Sequence, residues 1–329
     1  MNTTQPSLTR SKRMQNAIVR FVAAPASPKP LAVFRILVAG VLLMQALSIA
    51  GSIQDLYGER SIVQWSTLGN PQNGISILPD TTHLAWLAKQ LAPLGVTVDD
   101  CVRGMFLLYV LSLSGLLLGW RSNFSAMIAW LLHLAMNHTG FATIYGVDQF
   151  ANISLFYCMW MPVGHALSLD CQSGRVKQQA TTRARISLRV LQGHLSIAYL
   201  ATGLEKAVGE QWWNGEAIWR ATTLPELAQF DFTWLANVPS LAVAVCLATL
   251  IIEVGYPLLI WPTVTRKPMA FAVIGLHASI AMILGLVSFS ALMASLTFSA
   301  FVINAEPKPG EAVEPIPNEL QKLVTISAA

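Results

Sequence analysis

Runs of about twenty consecutive, mostly apolar residues recur along this chain, each long enough to cross a hydrocarbon layer about 30 Å thick as a helix. That constraint precedes any motif. A backbone in hydrocarbon must satisfy its own hydrogen bonds, and a helix does so within one segment. The runs cover 31–50, 102–120, 124–145, 149–169, 188–207 and 239–261, and a longer block over 268–304 divides into two short spans near Ser288. The pattern predicts an all-α, polytopic integral membrane helix bundle with about eight transmembrane helices and no large soluble domain. Composition agrees, because the 329 residues are 54% hydrophobic and only 12% charged, with a mean hydropathy of +0.53, whereas soluble domains carry about 25% charged residues.

The formal net charge of +4 is small, and the sequence lacks the basic, aromatic-interleaved surface that nucleic acid requires. The expected partner is therefore the lipid bilayer and not a nucleic acid. Where the charges fall is more informative than their sum. The first thirty residues carry Arg10, Lys12, Arg13, Arg20 and Lys29 without an acid, 172–189 carries Arg175, Lys177, Arg183, Arg185 and Arg189, and Arg266 and Lys267 mark the next basic turn. The loops 51–101 and 208–238 are acid-rich by contrast. Under the positive-inside rule this alternation places both termini in the cytoplasm. It divides the chain into a basic cytoplasmic segment over 1–30, a transmembrane domain over 31–304 and a short, proline-rich, flexible cytoplasmic tail over 305–329. The first apolar run lacks a small-residue cleavage site and is expected to stay in the protein. Cys101, Cys158, Cys171 and Cys246 are scattered, with neither a CxxC pair nor a Cys/His cluster, so no metal site is expected.

Ionisable side chains are costly in hydrocarbon and point to function or to a buried partner. Arg35, one turn into the first run, is expected to snorkel to the cytoplasmic interface. Glu253 falls about 12 Å from the cytoplasmic end of its helix at 1.5 Å per residue, where it needs a buried structural partner, with Arg35 and His194 as candidates. Asn137 and His138 lie about 10–12 Å below the outer end of the third run by the same count and require hydrogen-bond partners or a wet cavity. Lys206 is placed at the outer end of the fifth run, followed by Trp212 and Trp213, and His277 falls near the middle of the seventh. A lysine at that place reads either as an interfacial anchor or as a partly desolvated amine able to act as a base. Counting from the charge-derived topology puts Asn137, His138, Lys206 and the tryptophans in the outer half of the membrane. They form a candidate pocket opening outward.

Three features together resemble one family. They are Tyr199-Leu-Ala-Thr-Gly203-Leu-Glu-Lys206 with Trp213-Asn-Gly215, the Asn137-His138 pair before Tyr145-Gly146, and Leu276-His277. Pro30-Leu-Ala-Val-Phe-Arg35 and Glu253-Val-Gly-Tyr-Pro257 fit the same pattern. The chain resembles the HTTM family, the membrane fold of vitamin K-dependent gamma-carboxylases and their small bacterial relatives. The resemblance implies Lys206 as the base acting on a reduced menaquinone or vitamin K-type quinone, with Asn137 and His138 orienting the quinol or stabilising developing charge. It implies His277, Tyr199, Trp213 and Tyr145 as residues of the substrate or cofactor pocket, whereas the depth of Arg35, Glu253 and His194 in the apolar runs makes them structural polar groups. It further implies an enzyme of the bacterial inner membrane acting at an outward-facing site, coupled to modification of a secreted peptide. The same resemblance reaches the sporulation-delaying protein B family, which implies a different class of function: a non-catalytic accessory membrane protein working with a small partner protein in maturation or export of a toxin-like peptide.

Overall fold

The computed structural model describes residues 10–59, 61, 84–139 and 145–315, with side chains described throughout except at 10–16, 84–86 and 138–139. In chain order the helices are α1 Arg10–Ala23, α2 Lys29–Ile49, α3 Ile53–Tyr57, α4 Leu84–Leu91, α5 Val98–Leu118, α6 Ser122–Thr139 and α7 Gly146–Trp160. They continue with α8 Leu169–Gln172, α9 Thr182–Val208, α10 Glu216–Thr223, α11 Pro239–Leu259, α12 Thr263–Leu284 and α13 Val287–Thr297, the last running into a π-helical turn over Phe298–Val302. Among the described residues there is no strand, only isolated bridges that tie Ala180 and Thr181 to Ala26 and Val313. Four helical segments have the length and apolarity to cross a membrane: Lys29–Tyr57, Val98–Leu118, Pro239–Leu259 and Thr263–Leu284.

The remaining expected spans are shorter or more polar than a hydropathy count implies. The fourth run stops at Trp160, where Met161 turns extended ahead of Pro162, so α7 has only 15 residues. The fifth becomes the 27-residue α9, whose N-terminal half carries Arg183, Arg185 and Arg189. The last block divides in two near Ser288, at Gly285, which takes a left-handed φ of 71° to close α12. The third run begins as expected, with α6 reaching Thr139, and its last residues lie outside the described ones.

The bundle is apolar on its outside. Leu111 on α5, Ile251 and Leu258 on α11, and Phe271 and Met282 on α12 are all more than half exposed, a pattern suited to lipid and one that a water-soluble protein rarely shows over so large an area. Inside, Leu31, Phe34, Val38 and Leu42 of α2 pack against Leu113 and Leu116 of α5 and Leu292 and Leu296 of α13.

Arg35 does not snorkel. Its guanidinium is fully buried and turns onto the ends of neighbouring backbone segments, donating to the carbonyls of Leu116, Leu117 (2.7 Å), Val163 (3.2 Å) and Leu167 (2.6 Å). Leu116 and Leu117 belong to the last turn of α5, where carbonyls run out of helical partners and Leu116 otherwise accepts, among the described residues, only from the capping Gly119 N–H at 3.1 Å, and a cation there also meets the negative end of the helix dipole. Asp170 does the converse for the next helix. Its carboxylate accepts from the backbone N–H of Arg121 (2.8 Å) and of Ser122 (2.7 Å) at the start of α6, from the Ser122 hydroxyl (2.9 Å), and from Arg175. Gly119 makes this corner feasible. It sits at φ 72°, and a Cβ there would lie 2.3 Å from Ser168 Cβ and 3.0 Å from Arg35 Cζ.

Burial pushes the Asp170 carboxyl up, but these hydrogen bonds outweigh it and hold the group below the usual carboxylate range. A lowered native value means that the unfolded chain binds the proton more readily, so the stability it contributes is complete above about pH 4. That contribution is lost as pH falls through the lowered native value. In thermal unfolding of purified protein, Asp170→Asn is expected to be less stable than wild type at neutral pH and to lose less stability on acidification.

Candidate active site

The residues singled out from the sequence separate into one group that meets and several that do not. Lys206 Nζ donates to Glu253 Oε2 at 2.8 Å, with the two side chains 25% and 11% exposed. The expected partners of Glu253 are thus replaced: Arg35 is committed to backbone carbonyls, and His194 Nδ1 pairs with the Tyr157 hydroxyl at 2.7 Å. The reason is depth. Trp261 Nε1 donates to Ser196 Oγ at 3.2 Å, which levels α9 with the end of α11. From that level Lys206 lies about 15 Å further along α9 and Glu253 about 12 Å back along α11, at 1.5 Å per residue. Lys206 sits in the last turn of α9, at the end of that helix as expected, while α11 runs on past the level of the pair. From Glu253, α11 continues for about 20 Å at the same rise, and the segment after α9 lies against that half of it.

Gly203 permits the pairing. A Cβ on Gly203 would lie 2.9 Å from Val254 N and 3.0 Å from Glu253 Cβ, so α9 and α11 touch at backbone distance one turn below Lys206. Gly203→Ala is expected to force the helices apart at a cost of about 1–3 kcal/mol. Its readout is thermal unfolding.

Tyr199 lies two turns below Lys206 and on the same side of α9. Its hydroxyl meets His277 Nε2 at 2.8 Å, and its ring lies 4.2 Å, centroid to centroid, from that of Tyr256. Tyr256 and Thr297 are fully buried and His277 is nearly so. Thr297 neighbours both tyrosine hydroxyls, but its contacts lack hydrogen-bond geometry. Tyr256 Oη, Thr297 Oγ1 and His277 Nδ1 therefore have no hydrogen-bond partner among the described residues. Buried polar groups are rarely left so. These three atoms, with the Lys206–Glu253 pair nearby, form a polar interior surrounded by Phe289 and Phe301, whose rings stand edge-on to His277 and Tyr256.

Other expected pocket residues lie elsewhere. Trp213 is half exposed and caps the last turn of α9 by donating to the Ala207 carbonyl at 2.8 Å, whereas Trp212 is the tryptophan that faces Lys206 Nζ, 5.5 Å from its ring centre. Asn137 is half-buried near the end of α6, a helix that packs on α5 and α7. Among the described residues no hydrogen bond links it to Lys206. The side chain of His138 lies outside the described ones. Tyr145 precedes α7, and its backbone N–H donates to the Asp148 carboxylate at 3.0 Å. The next residue, Gly146, abuts Phe289, so this end of α7 comes within one ring of His277. His194 and Tyr157 line a separate shallow cleft between α7 and α9.

Sequence reasoning passed over Asp170, Tyr256, Thr297 and the buried pair of Tyr109 and His133. In that pair the Tyr109 hydroxyl meets His133 Nδ1 at 3.1 Å, and His133 Nε2 meets the Asp148 carbonyl at 3.2 Å. His133 was legible as a polar residue inside an apolar run, one turn before Asn137. Tyr256 and Thr297 carry no such signal, because tyrosine and threonine are common in membrane helices.

No family model, curated protein or solved structure matches the chain.

Proposed function

We propose that the chain is a membrane enzyme of the HTTM type, with about eight spans and both termini in the cytoplasm of a bacterium, whose inner membrane it occupies. In this reading Lys206 and Glu253 manage the proton of a reduced isoprenoid quinone, in support of the modification of a secreted peptide. The observation that carries the reading is the 2.8 Å contact between Lys206 Nζ and Glu253 Oε2 inside the bundle, beside three buried polar atoms that lack partners among the described residues.

The donor set suits a hydroxylated ring. Tyr256 Oη, Thr297 Oγ1 and His277 Nδ1 offer hydrogen bonds to ring oxygens, and the flanking Phe289 and Phe301 suit an apolar ring system. When bound, the reduced quinone would supply an acidic phenolic proton and two reducing electrons. Lys206 meets Glu253 as an ammonium and cannot accept a proton in that form. At 2.8 Å, Nζ can pass one proton to Oε2, which leaves a neutral amine beside a neutral acid. The amine then takes the phenolic proton, and Glu253 keeps the one it received. Positioned acid–base groups of this kind contribute about 10²–10⁴-fold to rate. Trp212 and the short contact at Gly203 hold Nζ in place while this happens.

The test is incubation of purified protein with a reduced menaquinone analogue under oxygen and under nitrogen. Oxygen-dependent formation of the quinone epoxide is the expected result. No turnover with any quinol would overturn the enzymatic reading in favour of the accessory one, which co-purification of a small partner protein would then support.

A further inference from the structure

Arg185, Arg189 and Arg266 gather where α9, the start of α12 and the end of α1 meet, with Arg185 and Arg189 tied to the end of α1 and Arg266 to Trp261. Arg185 and Arg189 are one turn apart on α9, an arrangement that is repulsive by itself. Their backbone ties fix the guanidinia in place. Arg185 Nε donates to the Ala24 carbonyl at 2.8 Å, Arg189 Nε to that of Phe21 at 2.9 Å, and Arg266 Nη2 to that of Trp261 at 2.7 Å. Glu306 is the carboxylate that faces them, 3.0 Å from Arg185 and with its side chain 69% exposed. No acceptor among the described residues meets Arg189 Nη2 or Arg266 Nη1. The Arg189 guanidinium lies between aromatic rings, 3.7 Å from the centre of Phe21 and 5.7 Å from that of Trp261.

Beside this cluster, α1 turns an apolar stripe outward. Ile18, Phe21 and Val22 are 56%, 46% and 39% exposed, at the spacing of one helix face, and Arg20 is exposed between them. A basic amphipathic helix with an uncovered apolar stripe is the form that lies in a membrane interface. Fixed arginines with free donors at the same level are the form that holds a phosphate headgroup.

We propose that this corner is a binding site for an anionic phospholipid. Its phosphate would sit against Arg189 and Arg266, and its acyl chains along Ile18, Phe21 and Val22. A free phosphate ion would satisfy the arginines but leave the stripe uncovered, and a zwitterionic lipid would cover the stripe while adding a cation beside three others. Charge and apolar surface together select the anionic lipid.

The test uses full-length protein in a neutral detergent, with thermal unfolding and native mass spectrometry as readouts. Phosphatidylglycerol doped into the micelles is expected to raise Tm by several degrees and to remain bound in the gas phase, as mass action on the folded state requires. Phosphatidylcholine and inorganic phosphate are expected to do neither. Arg266→Gln should lose the phosphatidylglycerol shift measured from its own lipid-free Tm, and Arg266→Lys should retain most of the shift. Equal shifts from phosphatidylcholine, an equal shift from inorganic phosphate alone, or a full shift in Arg266→Gln would each overturn the proposal. The wild-type comparison of lipids does not depend on any variant folding. None of these readouts involves quinol turnover, so this site and the proposed chemistry stand or fall separately.

Discussion

Arg35→Met is expected to be the most destabilising single substitution in the chain, at about 3–5 kcal/mol, because buried acceptors left without a donor cost about 1–3 kcal/mol each. The methionine fills much of the same space but donates nothing. The carbonyls of Leu116, Leu117, Val163 and Leu167 would lose the group that joins them. Arg35→Lys keeps the charge at the C-terminal end of α5 but loses the planar fork, so it should fall between the methionine variant and wild type. Thermal unfolding in detergent, with retention of helix by circular dichroism, is the measurement. If Arg35 merely snorkelled, both substitutions would be mild.

The second large effect concerns the pair between α9 and α11. Lys206→Met leaves the Glu253 carboxylate buried without its cation, and Glu253→Gln leaves the amine without its carboxylate. Each should lower quinol turnover by about 10²–10⁴-fold. Their effects on stability should not add, since groups in direct contact couple by about 0.5–3 kcal/mol. The double variant Lys206→Met/Glu253→Leu removes both charges and should recover much of the stability lost by Lys206→Met alone, as buried ion pairs replaced by apolar residues generally do.

These expectations show which parts of the molecule are legible from residues alone. A window of apolar residues identifies α2, α5, α11 and α12, since for them composition and helix length coincide. It overestimates α7, because hydropathy does not register that Pro162 lies two residues beyond Trp160 and that the backbone turns there. It places Lys206 at the end of α9 but does not supply its partner, Glu253. Depth counted along one helix carries no information about how far a neighbour has slid, and that offset is set by the contact of Gly203 with Val254 and the bond from Trp261 to Ser196.

Intramembrane polarity singles out side chains that meet in the folded chain, though not all of them. Lys206, Glu253 and His277 stand out as costly to bury and Tyr199 through the resemblance, and the structure gathers the four into one region. What one-dimensional reasoning lacks is the direction of each side chain. Arg35 and Glu253 are both buried charges near one end of the bundle by residue count. Arg35 turns to helix-end carbonyls and Glu253 to an ammonium, a difference decided by packing. Trp212 and Trp213 are adjacent, and only the helical turn over Glu210–Trp212 determines which of them faces the lysine.

The most direct test of the central claim is oxygen-dependent turnover of a reduced menaquinone analogue by the Lys206→Met/Glu253→Leu protein, measured beside wild type at matched folded fraction. If the pair handles the substrate's proton, the double variant stays folded and turnover is lost. Turnover equal to wild type in that folded protein would contradict the account and leave the pair a structural tie between two helices.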